Sequence, residues 1–271
     1  MQPVLKHIAS RDNPIFKRLK RLAGSLRECR KANLILLEGP HLLTAWLTAQ
    51  RSFDSEESAL VVAESAWDKT EVRLLMGFVE PAFVMPDSLF ALLADAKTPQ
   101  GVLAFVPNPE NQALLDFDRD TVLLDGVQDP GNLGTLLRTA AAAGFTQALL
   151  STDCASPWSA KVLRSGQGAH FVMDIYEQQD LPAFAQAFKG ISIATALQAS
   201  ADLYQTGAFD VTKSIAWVFG SEGAGVSEAL LSAVNTTVKI PMSQQVDSLN
   251  VSAAAAICLF ETQRQRKCHE T

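Results

Sequence analysis

Two spacings of apolar residues alternate along most of this chain. Near the start, Phe16, Leu19, Leu22, Ala23 and Leu26 recur at helical intervals behind Pro14, with Lys17, Arg18, Lys20, Arg21 and Arg27 between them, which predicts one basic amphipathic helix. Short apolar or β-branched runs then read as strands at Leu34 to Glu38, Leu60 to Ala63, Phe78 to Val79, Phe83 to Met85 and Gly101 to Val106. Helical patterns fall between them, from His41 after the Gly39-Pro40 break to Ala49, near Glu71 to Met76 and at Asp87 to Ala94. This alternation predicts a small α/β domain over residues 1–106. Residues 107–118, rich in Pro and Asn and poor in apolar side chains before Leu114, read as a linker.

From Thr121 the order strand, loop, helix repeats. Strands are expected at Thr121 to Leu124, Ala148 to Ser151, Phe171 to Tyr176, Ile191 to Ala196, Ile215 to Phe219 and Thr237 to Ile240. Helices are expected near Leu133 to Ala143, Trp158 to Ser165, Leu181 to Lys189, Ser227 to Val234 and Val251 to Arg266. Over residues 119–271 this is the pattern of a parallel sheet covered on both faces, which periodicity alone would make an ordinary doubly wound domain.

A length of 271 residues leaves room for two such domains. No stretch approaches the roughly 18 uninterrupted apolar residues of a membrane span, and Lys6, Arg11, Asp12 and Asn13 occupy the region where a signal peptide needs an apolar run. A cytoplasmic protein without a membrane anchor is the expectation. Cys29, Cys154, Cys258 and Cys268 are scattered, as are His7, His41, His170 and His269, so neither a metal site nor a disulfide framework is expected.

The net charge of −6 argues against nucleic acid until it is divided along the chain. The first 31 residues hold nine Lys or Arg against two acidic residues, which leaves the remainder strongly acidic. A basic segment on an acidic body is compatible with a phosphate-binding face, for which Lys17, Arg18, Lys20 and Arg21 are the candidates; a solvated amphipathic helix is the alternative from charge alone.

Three further stretches carry candidate chemistry. Ile240-Pro-Met-Ser-Gln-Gln-Val-Asp-Ser-Leu-Asn-Val-Ser begins as the end of a strand and runs through a polar loop into a helix start that Ser248 or Asn250 can cap. Phe219-Gly-Ser-Glu-Gly-Ala-Gly-Val226 is a glycine cluster behind a strand; alone it reads as a tight turn, and it fits neither the dinucleotide fingerprint nor the phosphate-loop pattern. Asp125-Gly-Val-Gln-Asp-Pro-Gly-Asn-Leu-Gly-Thr-Leu-Leu-Arg138 leads from a strand into a helix, with Asn132 read as a loop or cap residue because Arg138 lies about two turns further on.

In order and spacing these three blocks resemble the three motifs of the SpoU/TrmH-type RNA ribose 2′-O-methyltransferases of the SPOUT superfamily. The resemblance implies an α/β protein whose C-terminal parallel-sheet domain holds a deep trefoil knot. It implies a smaller N-terminal L30e-like domain that binds RNA, carried by Leu36-Leu-Glu-Gly-Pro-His-Leu-Leu43 and by the Thr98-Pro-Gln-Gly101 turn. S-adenosylmethionine is the implied cofactor, held at Gly220, Ile240 and Leu249 with Ala196 and Met242, and a homodimer through the knotted region is the implied assembly. Arg138 becomes the catalytic residue with Asn132 as its companion, and Glu222, Ser248 and Asn250 complete the set. Ser165-Gly-Gln-Gly-Ala169 resembles a further family segment, beside which Arg164 would meet RNA phosphate.

Methyl transfer to a ribose 2′-hydroxyl needs the nucleophile, methyl carbon and sulfur in line and a proton removed from a poor acid. Arg138 is a poor general base, because a guanidinium titrates above about 12. Clamping a phosphate and stabilising a developing alkoxide is the more economical role, and an ion pair with Asp125 or Asp129 is the structural alternative. Glu222 could orient Arg138 or Asn132, and Ser248 could bond the ribose. The separate auxiliary domain favours ribosomal RNA over tRNA as substrate. Two rivals remain: a non-catalytic RNA-binding or ribosome-assembly factor on the same fold, and a nucleotide-dependent oxidoreductase, against which the missing dinucleotide fingerprint counts.

Overall fold

The structure, a computed structural model, describes residues 5–49, 58–78, 81–109, 113–196, 198–205, 209–243 and 248–269. Its elements run β1 (Leu5–His7), α1 (Pro14–Ala23), α2 (Leu26–Lys31), β2 (Leu34–Glu38), α3 (Pro40–Thr48), β3 (Ala59–Ala63), α4 (Thr70–Met76), β4 (Ala82–Met85), α5 (Asp87–Phe90) and β5 (Val102–Pro107). They continue as β6 (Thr121–Asp125), α6 (Pro130–Ala142), β7 (Gln147–Leu150), α7 (Ala160–Gly166), β8 (Asp174–Tyr176), α8 (Leu181–Ala187), β9 (Ile191–Thr195), β10 (Ala201–Asp202), β11 (Ile215–Gly220), α9 (Glu228–Ala233), β12 (Thr236–Lys239) and α10 (Val251–His269). The chain divides into two compact units, Met1–Glu110 with Trp158–Phe171, and Asn111–Pro157 with Val172–Thr271.

In the first unit the described strands form one sheet in the order β1-β4-β3-β5-β2, in which β5 runs antiparallel to both neighbours. Residues of β2, β3, β4 and most of β5 are buried on both faces, which explains their unbroken apolar sequence. The helix expected from Pro14 to Leu26 is two helices. Asn13 caps α1 by accepting from Ile15 N and Phe16 N, and α1 buries Phe16, Leu19 and Leu22. Gly24 then ends it, and Ser25 starts α2 by accepting from Glu28 N at 3.3 Å. Leu26 leaves the buried stripe and is 36% exposed. Phe78, expected in a strand, follows the Gly77 cap of α4 and is exposed; its companion Val79 lies outside the described residues.

The first unit also takes in α7, from the sequence between β7 and β8. Here the buried Glu38 carboxylate accepts from Asp95 N and Ala96 N, each at 3.1 Å, and from Arg164 at 3.2 Å, while Arg164 also reaches Asp95 at 2.9 Å. Arg164, a candidate for RNA phosphate, is thus engaged by two carboxylates. Trp46 meets Phe171 edge to face with ring centroids 5.2 Å apart.

The described strands of the second unit are all parallel, in the order β10-β12-β9-β11-β6-β7-β8. The central β11 is buried along its whole length. Buried Gln147 satisfies its amide completely, donating to Asp116 O and Thr121 Oγ1 and accepting from Asp116 N and Arg119. Against β11 and α6 packs α10, whose Ala255, Cys258, Leu259 and Thr262 are fully buried, and the Trp217 indole donates to Thr262 Oγ1 at 3.0 Å. The small-residue stripe of this helix therefore serves close packing inside the unit. Strand β8 is shorter than the run from Phe171 suggests, because Ala169–Phe171 forms a 3₁₀ turn. Among the described residues no helix is long and apolar enough to cross a membrane.

Candidate active site

The C-terminal ends of β9, β11 and β12 open on one cleft of about 410 Å³ in the second unit. Its floor is the end of β11. A Cβ on Gly220 would lie 2.1 Å from the Gly225 carbonyl carbon and 2.3 Å from Val226 N, so only glycine fits there. The chain then turns back through Ser221 and Gly225, which exchange backbone hydrogen bonds of 3.1 and 2.9 Å, with Gly225 at φ 70°. The glycine cluster thus serves two purposes: Gly220 admits the returning backbone, Gly225 takes the left-handed turn, and Gly223 faces open space.

All five positions expected to hold the cofactor line this cleft: Ala196 after β9, Gly220, Ile240 and Met242 after β12, and Leu249 before α10. Ser248 and Glu222 line it too, and Glu222 is its one charged side chain among the described residues. Gln244 to Asp247 of the third block lie outside the described residues.

Hydrogen bonds join the three sequence blocks. Asn132 Nδ2 donates to Glu222 Oε1, and Asn132 Oδ1 accepts from Asn250 Nδ2 at 3.0 Å. Asn250 Oδ1 in turn accepts from Ser252 N at 2.9 Å and Ala253 N at 3.4 Å, which caps α10. Ser252 Oγ closes the circuit on Asn132 O at 3.2 Å. Asn132 is not a loop or cap residue, as its spacing from Arg138 suggests, but sits in the first turn of α6; the cap is Asp129, whose Oδ1 accepts from Asn132 N at 2.9 Å behind Pro130. Placing Asn132 inside the turn aims its amide outward at the other two blocks.

Arg138 stands further along α6, exposed, and outside the lining of the cleft. It forms no ion pair with Asp125 or Asp129; Asp125 accepts from Ser227 N at 2.8 Å instead. The position is surface-facing because Leu133, Leu136, Leu137 and Ala140 take the buried side of the helix. Of the basic quartet, Lys17, Lys20 and Arg21 are exposed on α1, with Lys17 paired to Asp12 at 2.9 Å and Arg21 to Glu28 at 3.5 Å, while Arg18 is half-buried.

Among the described residues no cysteine lines the cleft. Burial pushes the Cys29 thiol up to about 11 and raises Cys154 and Cys258 as well. Among the described residues no group of three or more His, Cys, Asp or Glu side chains could hold a metal ion. Sequence reasoning missed the Ser252 hydroxyl, whose only local sign is its place two residues after a capping Asn.

The family model described as SpoU rRNA Methylase matches residues 120–260. A 23S rRNA (guanosine-2′-O)-methyltransferase of Bacillus subtilis is 34% identical over 94% of this chain and 98% of its own. The crystal structure of an RNA 2′-O ribose methyltransferase superposes with TM-score 0.82 at 27% identity, over 96% of this chain and 99% of that one. An AdoMet-bound rRNA methyltransferase from Sinorhizobium meliloti superposes with TM-score 0.79 at 25% identity, over 96% and 98%.

Proposed function

Because the chain belongs to the SpoU rRNA methylase family, we propose that it transfers the methyl group of S-adenosylmethionine to a ribose 2′-hydroxyl of RNA, with ribosomal RNA as the substrate class. The observation that carries this is the hydrogen-bonded chain Glu222, Asn132, Asn250, which joins three sequence blocks beside a cleft lined by every expected cofactor position.

The cleft fits that cofactor in size and charge: about 410 Å³ of largely apolar and backbone wall, with one carboxylate to face a cation. Gly220, Ile240, Leu249, Ala196 and Met242 would hold it, and once bound its sulfonium supplies an already activated methyl group. What remains for the chain is positioning and charge. Both ends of the Asn132 amide are engaged, so Asn132 is a strut that sets Glu222 against the α10 N-terminus. Ser248, on the cleft wall without a hydrogen bond among the described residues, is free to bond the ribose. Arg138, exposed and unpaired among the described residues, is suited to clamp the neighbouring phosphate and stabilise the developing alkoxide, the 2′-hydroxyl proton passing to solvent.

We assign RNA recognition to an L30e-like domain at residues 1–106, a linker to 107–118 and catalysis to 119–271, of which the segment Trp158–Phe171 belongs to the first compact unit. Lys17, Arg18, Lys20 and Arg21 form the phosphate-binding face. For the catalytic domain we infer a trefoil-knotted topology, supported by a strand order that inserts β11 between β9 and β6 and returns β12 to the far side of β9. A homodimer through this domain agrees with Phe260, half-exposed on α10 opposite its buried stripe. A cytoplasmic location is the reading that a ribosomal RNA substrate supports. Calorimetric titration with S-adenosylmethionine and S-adenosylhomocysteine tests the reading: saturable binding near one per chain supports it, and no binding of either, with RNA present, points to a non-catalytic RNA-binding factor.

A further inference from the structure

A second cavity, of about 430 Å³, lies wholly within the first unit. Its walls come from the start of α3, the loop before β5 and the end of α7. The frame is locked from behind. Glu38, 6% exposed, places its carboxylate on Asp95 N and Ala96 N and on Arg164, so its charge is consumed in fixing the loop. Gly39, at φ 95°, leaves room for the Gln100 amide, whose Oε1 would lie 2.8 Å from a Cβ there. Gly101, at φ 85°, would drive a Cβ to 2.3 Å from Ala66 Cβ. The Gly101 backbone is therefore held close against Ala66, while Gln100 beside Gly39 keeps a side chain that can move.

On this fixed frame stand four polar side chains without a hydrogen bond or ion pair among the described residues: His41, Lys97, Thr98 and Gln100. They offer one cation, a ring that can stack or hydrogen-bond, a hydroxyl, and an amide that both donates and accepts. Arg164 adds no free charge, because its guanidinium is divided between Glu38 and Asp95. Two carboxylates, Glu38 and Asp95, stand against two cations, Arg164 and Lys97, so the neighbourhood is formally neutral and Lys97 is its one cation without an ion pair among the described residues. That balance among neutral donors and acceptors suits a ligand with no more than one phosphate and a polar ring edge, and suits neither an apolar peptide nor a duplex backbone that presents many phosphates at once.

We propose that this cavity takes one unpaired nucleotide of the RNA substrate, with Lys97 on its phosphate and His41, Thr98 and Gln100 on its sugar and base; the proposal rests on the assignment of RNA as substrate. Unpaired nucleotides are read in this way because their edges and faces are open to side chains. The site would give the first unit a sequence-reading element in addition to the basic face of α1, which reads phosphate alone.

The test uses the full-length protein, a transcript of the host's large-subunit ribosomal RNA carrying 4-thiouridine and 6-thioguanosine, near-ultraviolet cross-linking and mass-spectrometric mapping of adducts. Adducts on peptides containing His41 or residues 96–101 are expected; adducts confined to α1 and the cleft of the second unit overturn the proposal. The double variant His41→Ala, Lys97→Ala should raise KM for RNA about tenfold, with S-adenosylmethionine affinity and circular dichroism unchanged. An unchanged KM also overturns it. A protein that methylates RNA but gives no adduct here loses the nucleotide pocket and keeps the reaction; one that gives the adduct without methylating keeps the pocket and loses the reaction.

Discussion

Asn250 donates to Asn132 across 118 positions of sequence, Nδ2 to Oδ1 at 3.0 Å, and this bond ties the N-terminus of α10 to the first turn of α6. Each partner has a second duty: Asn250 caps its own helix, and Asn132 donates to Glu222. Two helices and the glycine turn after β11 therefore share one small polar network at the cleft.

Breaking that network should cost stability and turnover together. In urea denaturation, Asn132→Ala and Asn250→Ala should show a coupling energy of about 1 kcal/mol, with Asn250→Ala losing roughly 1 kcal/mol more for its cap. Additive losses would mean the bond contributes nothing. Turnover of Asn132→Ala should fall by about a hundredfold, as expected when a reacting group is displaced by an ångström or so.

Gly220 and Gly223 should separate sharply. Gly220→Ala forces a Cβ onto the Gly225 backbone, so it should destabilise by about 1–3 kcal/mol and abolish S-adenosylmethionine binding in calorimetry. Gly223→Ala meets no protein atom within 4 Å, so its urea denaturation should match the parent, and any loss of cofactor binding would come from the cleft that Gly223 lines.

Arg138→Ala removes an exposed side chain, so its melting should stay within about 0.5 kcal/mol of the parent. Methyl transfer should be lost while S-adenosylmethionine still binds. Comparable turnover in this variant would remove Arg138 from the mechanism.

The basic face of α1 is tested by salt. Neutralising Lys17, Arg18, Lys20 and Arg21 together should weaken RNA binding and flatten the slope of log affinity against log salt, by up to about 0.7–0.9 for each phosphate that the helix no longer neutralises. Because Lys17 and Arg21 already have acidic partners, Lys20 should contribute the largest single share. An unchanged slope would assign the helix to solvent.

Much of this fold is legible in the residues, and the failures share a cause. The buried parallel strands announce themselves through runs such as Val122-Leu-Leu124 and Ala216-Trp-Val-Phe219, which periodicity reads well. The division of the first helix is also written in the chain, as Gly24 and the capping pair Ser25 and Glu28, but the continuing apolar spacing to Leu26 masks it. Strands of two or three residues, β1 and β10, are too short to show a period and exist through pairing with β4 and β12. The engagement of Arg164 has no local signal at all, since Glu38 lies 126 positions away. Spacing misplaces Asn132 for the same reason: intervals along one helix say nothing about partners on another element.

The most direct test is methyl transfer itself. Purified protein should be incubated with tritiated S-adenosylmethionine and unmodified large-subunit ribosomal RNA from its host, and the product digested in alkali. A 2′-O-methyl group removes the hydroxyl that attacks the adjacent phosphate, so the label should appear in one alkali-resistant dinucleotide at about one methyl per RNA. Label that alkali releases in mononucleotides would mean base methylation. Label absent altogether, from protein that binds both RNA and cofactor, would contradict the assignment of this chain as a ribose methyltransferase.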